Sequence, residues 1–86
     1  MNFLVVVDVN LRHGIADPEG ATIERALPAL GFSGVSNVQA GKSFRMNIEA
    51  ESEDAALEKA TALAERLLSN PVIEDAVARL AEVHAS

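Results

Sequence analysis

The feature that most constrains this chain is an alternation. Val38, Ala40, Phe44, Met46, Ile48 and Ala50 keep one parity, and Ser43, Arg45, Asn47, Glu49 and Glu51 keep the other. Successive side chains of a strand point to opposite faces, so this run is a strand with one apolar and one polar face. Its whole span, from about Val35 to Ala50, is longer than a usual strand, and Gly41 is expected to divide it by a bulge or bend. One apolar face that long has to be covered by something.

The rest of the chain supplies the cover. From Phe3 to Leu11 every odd position is apolar, while the even positions pass from Leu4 and Val6 to Asp8, Asn10 and Arg12. This predicts a strand buried on one face throughout and on both at its start. Asp17-Pro18 reads as the N-cap and first residue of a helix, with Glu19 favoured by the helix dipole. Ile23, Ala26, Leu27 and Leu30 recur at helical spacing, and Gly31-Phe32 fits a left-handed cap whose apolar residue folds back on Leu27. Pro28 conflicts with that helix, since it removes a hydrogen bond to the Glu24 carbonyl and should kink the last turn. Ser52, Glu53 and Asp54 open a second helix with the core stripe Leu57, Ala60, Ala64, Leu67 and Leu68, ended by Asn70-Pro71. The last segment is ambiguous: Ile73, Ala76, Val77, Leu80 and Val83 suit a helix, whereas Ala76, Ala78 and Leu80 would share one face of a strand.

The expected fold is α+β. It has a mainly antiparallel sheet of three or four strands with two helices on one face, in the order β-α-β-α-β with the middle strand bent and possibly double. With 86 residues the chain is expected to be a single domain, residues 1–86. A compact monomer of 9.1 kDa exposes roughly 4,900 Å² and buries only about 63% of its extended surface, so a partner would help it. Apolar residues make up 49% of the chain, but alanine supplies 15 of them and only three residues are aromatic, which points to a thin layered structure.

Charge and composition narrow the function. A formal charge of −6 opposes attraction to nucleic acid or to an anionic membrane, and Phe3, Phe32 and Phe44 are too few for base stacking. The absence of cysteine removes disulfides, a thiolate nucleophile and cysteine-type zinc sites. Met1-Asn2-Phe3 leads into a short apolar run with no basic leader and nothing near 18 consecutive apolar residues, so a soluble cytoplasmic protein is expected.

Candidate chemical sites are weak. Ala40-Gly41-Lys42-Ser43 ends like a phosphate-binding loop, but the leading glycine would fall at Ser36, and the residues after Ser43 alternate as a strand where a helix is required. A strand bend with an exposed lysine accounts for it. His13 lies near Asp17 and Asp8, yet with His84 as the only other histidine no metal-ligand spacing emerges, and a solvated loop histidine is the simpler account. Glu49, Glu51, Glu53 and Asp54 are explained by a strand's polar face and a helix cap. The N-terminus of the first helix could hold an anion, but Asp17 and Glu19 already fill that field with negative charge. No nucleophile, base and orienting group line up, so no catalytic, cofactor or metal residues are expected.

Three stretches carry a resemblance. Asp17-Pro18-Glu19-Gly20 leading through Ile23-Glu24-Arg25-Ala26-Leu27 to Leu30-Gly31-Phe32, then Val38 with Gly41-Lys42, then Leu67 through Asp75, together resemble the PurS family. That family is the small subunit of the multi-subunit phosphoribosylformylglycinamidine synthase of purine biosynthesis. The resemblance implies a subunit without catalysis of its own, joining a PurL-type synthase that uses ATP to a PurQ-type glutaminase that releases ammonia. It also implies a strand, against the local helical spacing, for about Glu74 to Val83. His13 and Pro28 depart from the family pattern and take no family role.

A homodimer is expected from the modest burial and the open sheet edges. Lys42 and Arg45, cations among acidic neighbours, are the candidate partner contacts. The reading from a different class is a small-molecule sensor of the ACT-like kind, which has the same size and mixture of elements. An enzyme acting alone comes third.

Overall fold

A computed structural model describes residues 1–81. In chain order the elements are β1 (Asn2–Leu11), α1 (Pro18–Ala26), a 3₁₀ turn (Pro28–Leu30), β2 (Gly41–Glu49), α2 (Glu53–Leu63), a π turn (Ala64–Leu68) and β3 (Glu74–Leu80). The strands form one antiparallel sheet in the order β2-β1-β3. The α+β class and the β-α-β-α-β order are as expected.

β1 takes the centre because it is the strand with apolar residues on both parities. Val5, Val6, Val7 and Val9 are at most 1% exposed. Val7 stands between Phe44 of β2 and Ala78 of β3, and Val5 between Met46 and Leu80. This row faces α2 and the start of the π turn, whose Ala56, Ala60 and Ala64 are buried against it. Alanine at the contact lets the helix axis approach the sheet closely, and the molecule is only 15 Å thick. Burying these side chains is worth roughly 1.5–3 kcal/mol for each valine.

Leu67 departs from the expected stripe. The π turn widens the last turn of α2, Ser69 donates from both its backbone N–H and its hydroxyl to the Ala64 carbonyl, and Leu68 turns inward at half-burial. Leu67 is left 74% exposed.

The C-terminal segment is a strand from Glu74 to Leu80. Pairing along seven residues of β1 overrides its helical spacing. Ala76, Ala78 and Leu80 face α2 while Val77 is exposed, and Val83 and His84 lie outside the described residues.

β2 begins at Gly41, so the expected bend within a long strand is instead its first residue, and the sheet has three strands. Gly41 fits there because a Cβ would strike Asn10 Oδ1 and come within 2.9 Å of the Val9 carbonyl. Residues 35–40 pair with no strand.

The first helix sits differently from the second. α2 lies on the sheet; α1 projects beyond the end where Leu11, Gly41 and Glu74 meet and has Gly20 as its only buried residue. Pro28 acts as expected: α1 stops at Ala26, the Glu24 carbonyl accepts from Leu27 instead, and the chain turns through the 3₁₀ segment. Gly31, with φ 87, closes the turn, and the Phe32 N–H bonds back to the Leu27 carbonyl at 3.0 Å. The result is an elongated body of 50 × 38 × 15 Å with a radius of gyration of 16.3 Å, where about 12 Å is usual for a compact chain of this length.

Candidate docking surfaces and the clasp behind them

The projecting limb is held by carboxylates. Asp17, the N-cap of α1, accepts from the Gly20 N–H through Oδ1 at 3.0 Å and from the Ala40 N–H through Oδ2 at 2.8 Å. Seven residues on, along the same face of the helix, Glu24 Oε1 accepts from the Val38 N–H at 2.9 Å. The two acids thus satisfy alternate amides of the segment that leads into β2, as a neighbouring strand would have done. Gly20 makes the approach possible, because a Cβ there would run into the Val38 carbonyl and lie 2.6 Å from Asp17 Oδ2. The amides, Gly20 first and Ala40 next, hold the Asp17 carboxyl below its ordinary range. This three-residue clasp fixes the direction of the limb.

The sequence pointed to Asp17 as a cap and missed the clasp. Its available signal was the seven-residue spacing of Asp17 and Glu24, two helical turns, with a glycine between them.

The two candidate contact residues are both exposed but are not brought together. Lys42 pairs with Val9 and so shares the α2 side with Phe44, at the limb end of the sheet. Arg45 pairs with Val6 and faces the opposite, open side. On that side Arg45, Val6 and Arg79 form one row across the three strands. Val6 is 1% exposed although α2 lies on the other face, and the aliphatic stems of the flanking arginines are placed to shield it. Arg79 Nε donates to Asp8 Oδ2 at 3.0 Å, which lowers the Asp8 carboxyl. Arg12 pairs with Asp75 at 3.5 Å and donates to the Pro71 carbonyl, tying β1 to the approach of β3. Among the described residues Arg45 forms no ion pair, which leaves it available to a partner carboxylate.

His13 lies exposed on the rim of an open groove with Asn10, Arg12, Asp17 and Gln39. The Asp17 carboxylate is occupied by two amides, so it is not free to orient the imidazole. Among the described residues no three His, Cys, Asp or Glu side chains gather at metal-binding distance, and no helix is long and apolar enough to cross a membrane.

Together these features define a flat α+β protein with one covered sheet face, one open face and a clasped apolar limb, a shape suited to contact with other chains. Residues 4–82 match the family model PurS, phosphoribosylformylglycinamidine (FGAM) synthase. The chain is 40% identical over 73 residues to the PurS subunit of that synthase from Methanocaldococcus jannaschii, covering 85% of this chain and 88% of the relative. It superposes on the crystal structure of the PurS subunit from Thermotoga maritima with a TM-score of 0.87 and 36% identity, covering 94% of this chain and 93% of that one. A chain in the structure of PurLQS from the same organism gives a TM-score of 0.86 at 36% identity, covering 94% and 99%. The chain belongs to the PurS family, the small subunits of phosphoribosylformylglycinamidine synthase in purine biosynthesis. That membership, spanning nearly the whole described chain, leaves the ACT-like reading without support.

Proposed function

We propose that this chain, a single domain over residues 1–86 working in the cytoplasm as a homodimer, bridges a PurL-type synthase and a PurQ-type glutaminase. Ammonia released on the second is then used on the first without escape to solvent. The observation that carries this reading is the likeness over 94% of the chain to a component of the Thermotoga maritima PurLQS structure. The chain contributes contacts to the complex and no reacting group.

Lys42 and Arg45 are the proposed docking cations, and their placement gives each its own surface: Lys42 at the limb end on the α2 side, Arg45 on the open sheet face. Two faces suit a subunit that must touch two partners. The test is reconstitution. Glutamine-dependent synthesis should fall in the double variant Lys42→Glu with Arg45→Glu, while synthesis from added ammonium salts stays nearly intact. Equal glutamine-dependent activity with and without this subunit would remove the bridging role.

A further inference from the structure

Between β1 and β2 the chain leaves the sheet and returns to the place it left. Asn10 pairs with Gly41, so residues 12–40 form one excursion whose two feet stand side by side. The core of the described residues takes nothing from it. Among the described residues, no hydrogen bond or ion pair joins residues 13–36 to the sheet or to α2. The outgoing foot is rooted, because the Arg12 N–H donates to the Ile73 carbonyl and its side chain holds Pro71 and Asp75. Beyond that root, residues 12–17 form neither helix nor strand, and Gly14, with φ 86 and open space where a Cβ would stand, is a natural pivot. What opposes rotation about this loop is the clasp, which joins Asp17 to Ala40 at 2.8 Å and Glu24 to Val38 at 2.9 Å.

The clasp also reaches the docking cation. Ala40, held by Asp17, stands two residues before Lys42, and Pro18 and Glu19 of the limb face Leu11, Lys42 and Glu74 of the sheet across one open crook. Among the described residues Lys42 forms no ion pair, although two carboxylates line the same crook. Rotation of the limb changes the width of the crook and the distance from Glu19 to Lys42, and with them the field that an incoming carboxylate meets. We propose that the limb is a hinged arm and the clasp its catch: closed, it holds the crook in the shape that admits a partner carboxylate to Lys42, and open, it lets the arm swing and weakens that docking. Asp17, Gly20 and Glu24 are then positioning residues that act through Lys42. Each bond of the catch is part-buried and of modest net strength, so the arm opens without unfolding the sheet.

This inference rests on the bridging role and on Lys42 as a docking cation, and the experiment separates it from them. Asp17→Ser keeps a cap for α1 without the second oxygen that holds Ala40, Glu24→Ala removes the acceptor for Val38 and leaves a good helix former, and Glu24→Gln keeps the acceptor. The chain has no cysteine, so Ser33→Cys on the limb and Asn47→Cys on the sheet, both exposed, take one spin label each. An excess of unlabelled chain confines the measured distance to one copy. The distance distribution should be narrow with the natural clasp and with Glu24→Gln, and broad in Asp17→Ser with Glu24→Ala, while amide protection of Val5 through Val9 persists. In the reconstituted synthase, the concentration of this subunit that gives half-maximal glutamine-dependent synthesis should rise about tenfold in that double variant. The ammonium-dependent rate should not change, and Glu24→Gln should match the natural chain. Added to Lys42→Glu, the double variant should cost nothing further. A narrow distribution in the double variant would overturn the hinge. A broad one with an unchanged half-maximal concentration, or a loss fully additive with Lys42→Glu, would overturn the link to Lys42. Glutamine-dependent synthesis that ignores the natural chain would overturn the bridging role instead, the distances still deciding the hinge.

Discussion

The two helices of this protein are similar in length and solve opposite problems. α2 is fastened by burial: three alanines press on the valines of β1. α1 is fastened by hydrogen bonds from Asp17 and Glu24 to the segment before β2, which satisfies polar groups and leaves its large apolar residues outside. Burial holds the sheet half together, and directional bonds hold the limb out with its apolar residues exposed. A chain can divide its sequence in this way because a hydrogen bond fixes geometry without using up apolar surface.

Weakening the sheet half tests whether the limb depends on the same burial. Val7→Ala deletes two methyl groups from a fully buried site between Phe44 and Ala78. It should lower the unfolding free energy by about 2–3 kcal/mol, shifting the urea midpoint by the same step at every protein concentration. Leu30→Ala, at a residue exposed in the single chain, should act differently and change stability by no more than about 0.5 kcal/mol. Equal, concentration-independent shifts from both would mean that the limb is packed within its own chain.

Next in size is the hinge between the halves. Gly20→Ala places a methyl group against the Val38 carbonyl, a backbone atom that cannot move alone. The local cost should be about 1–3 kcal/mol. Amides of Val38 and Ala40 should exchange faster while those of Val5 to Val9 keep their protection. If β1 amides lost protection equally, the clasp would be part of the core and the two halves would not be separable.

Acid should open the same clasp more gently. The Asp17 carboxyl lies below its ordinary value of 3.8 because the folded chain gives it the Gly20 and Ala40 amides. A carboxyl lowered by folding contributes stability that is present above the unfolded value and is lost as pH falls through the folded one. Protection of the Ala40 amide should therefore be constant near neutrality and decline below about pH 4. In Asp17→Asn it should be weaker at neutral pH and lack that acid step. An unchanged acid step in the variant would assign it to another group.

How far the sequence reveals these two halves differs for a physical reason. β1, β2 after Gly41 and α2 announce themselves because burial imposes a period on the residues it selects, two for Val5-Val7-Val9 and near 3.6 for Ala56-Ala60-Ala64. β3 has too little contrast, since Ala76 and Ala78 fit either period, and only its register with β1 decides it. The limb is less legible still. Ile23, Leu27 and Leu30 have the spacing of a core stripe, yet the core of the described residues includes none of them, because periodicity tells that a face is to be covered and not by what. Lys42 and Arg45 were legible as exposed cations. Their separation to opposite faces follows from strand parity, three positions apart, once the strand is known to run unbroken from Gly41 to Glu49.

The smallest effect tests the sheet half at its one loose end. Leu67 and Leu68 are neighbours, and an uninterrupted α-helix would bring Leu67, three residues after Ala64, to the sheet. The π turn delays the chain, sending Leu68 to the core and Leu67 to solvent. Leu67→Ala should thus change stability by no more than about 0.5 kcal/mol, whereas Leu68→Ala should cost about 1–2 kcal/mol as a half-buried contact. The sum of the two matters less than their order. The reverse order would restore a straight helix and make the Ser69 bonds to Ala64 an ordinary frayed end. A loss at Leu67 that vanishes on dilution would instead show that the end of α2 lends an apolar residue to a neighbour.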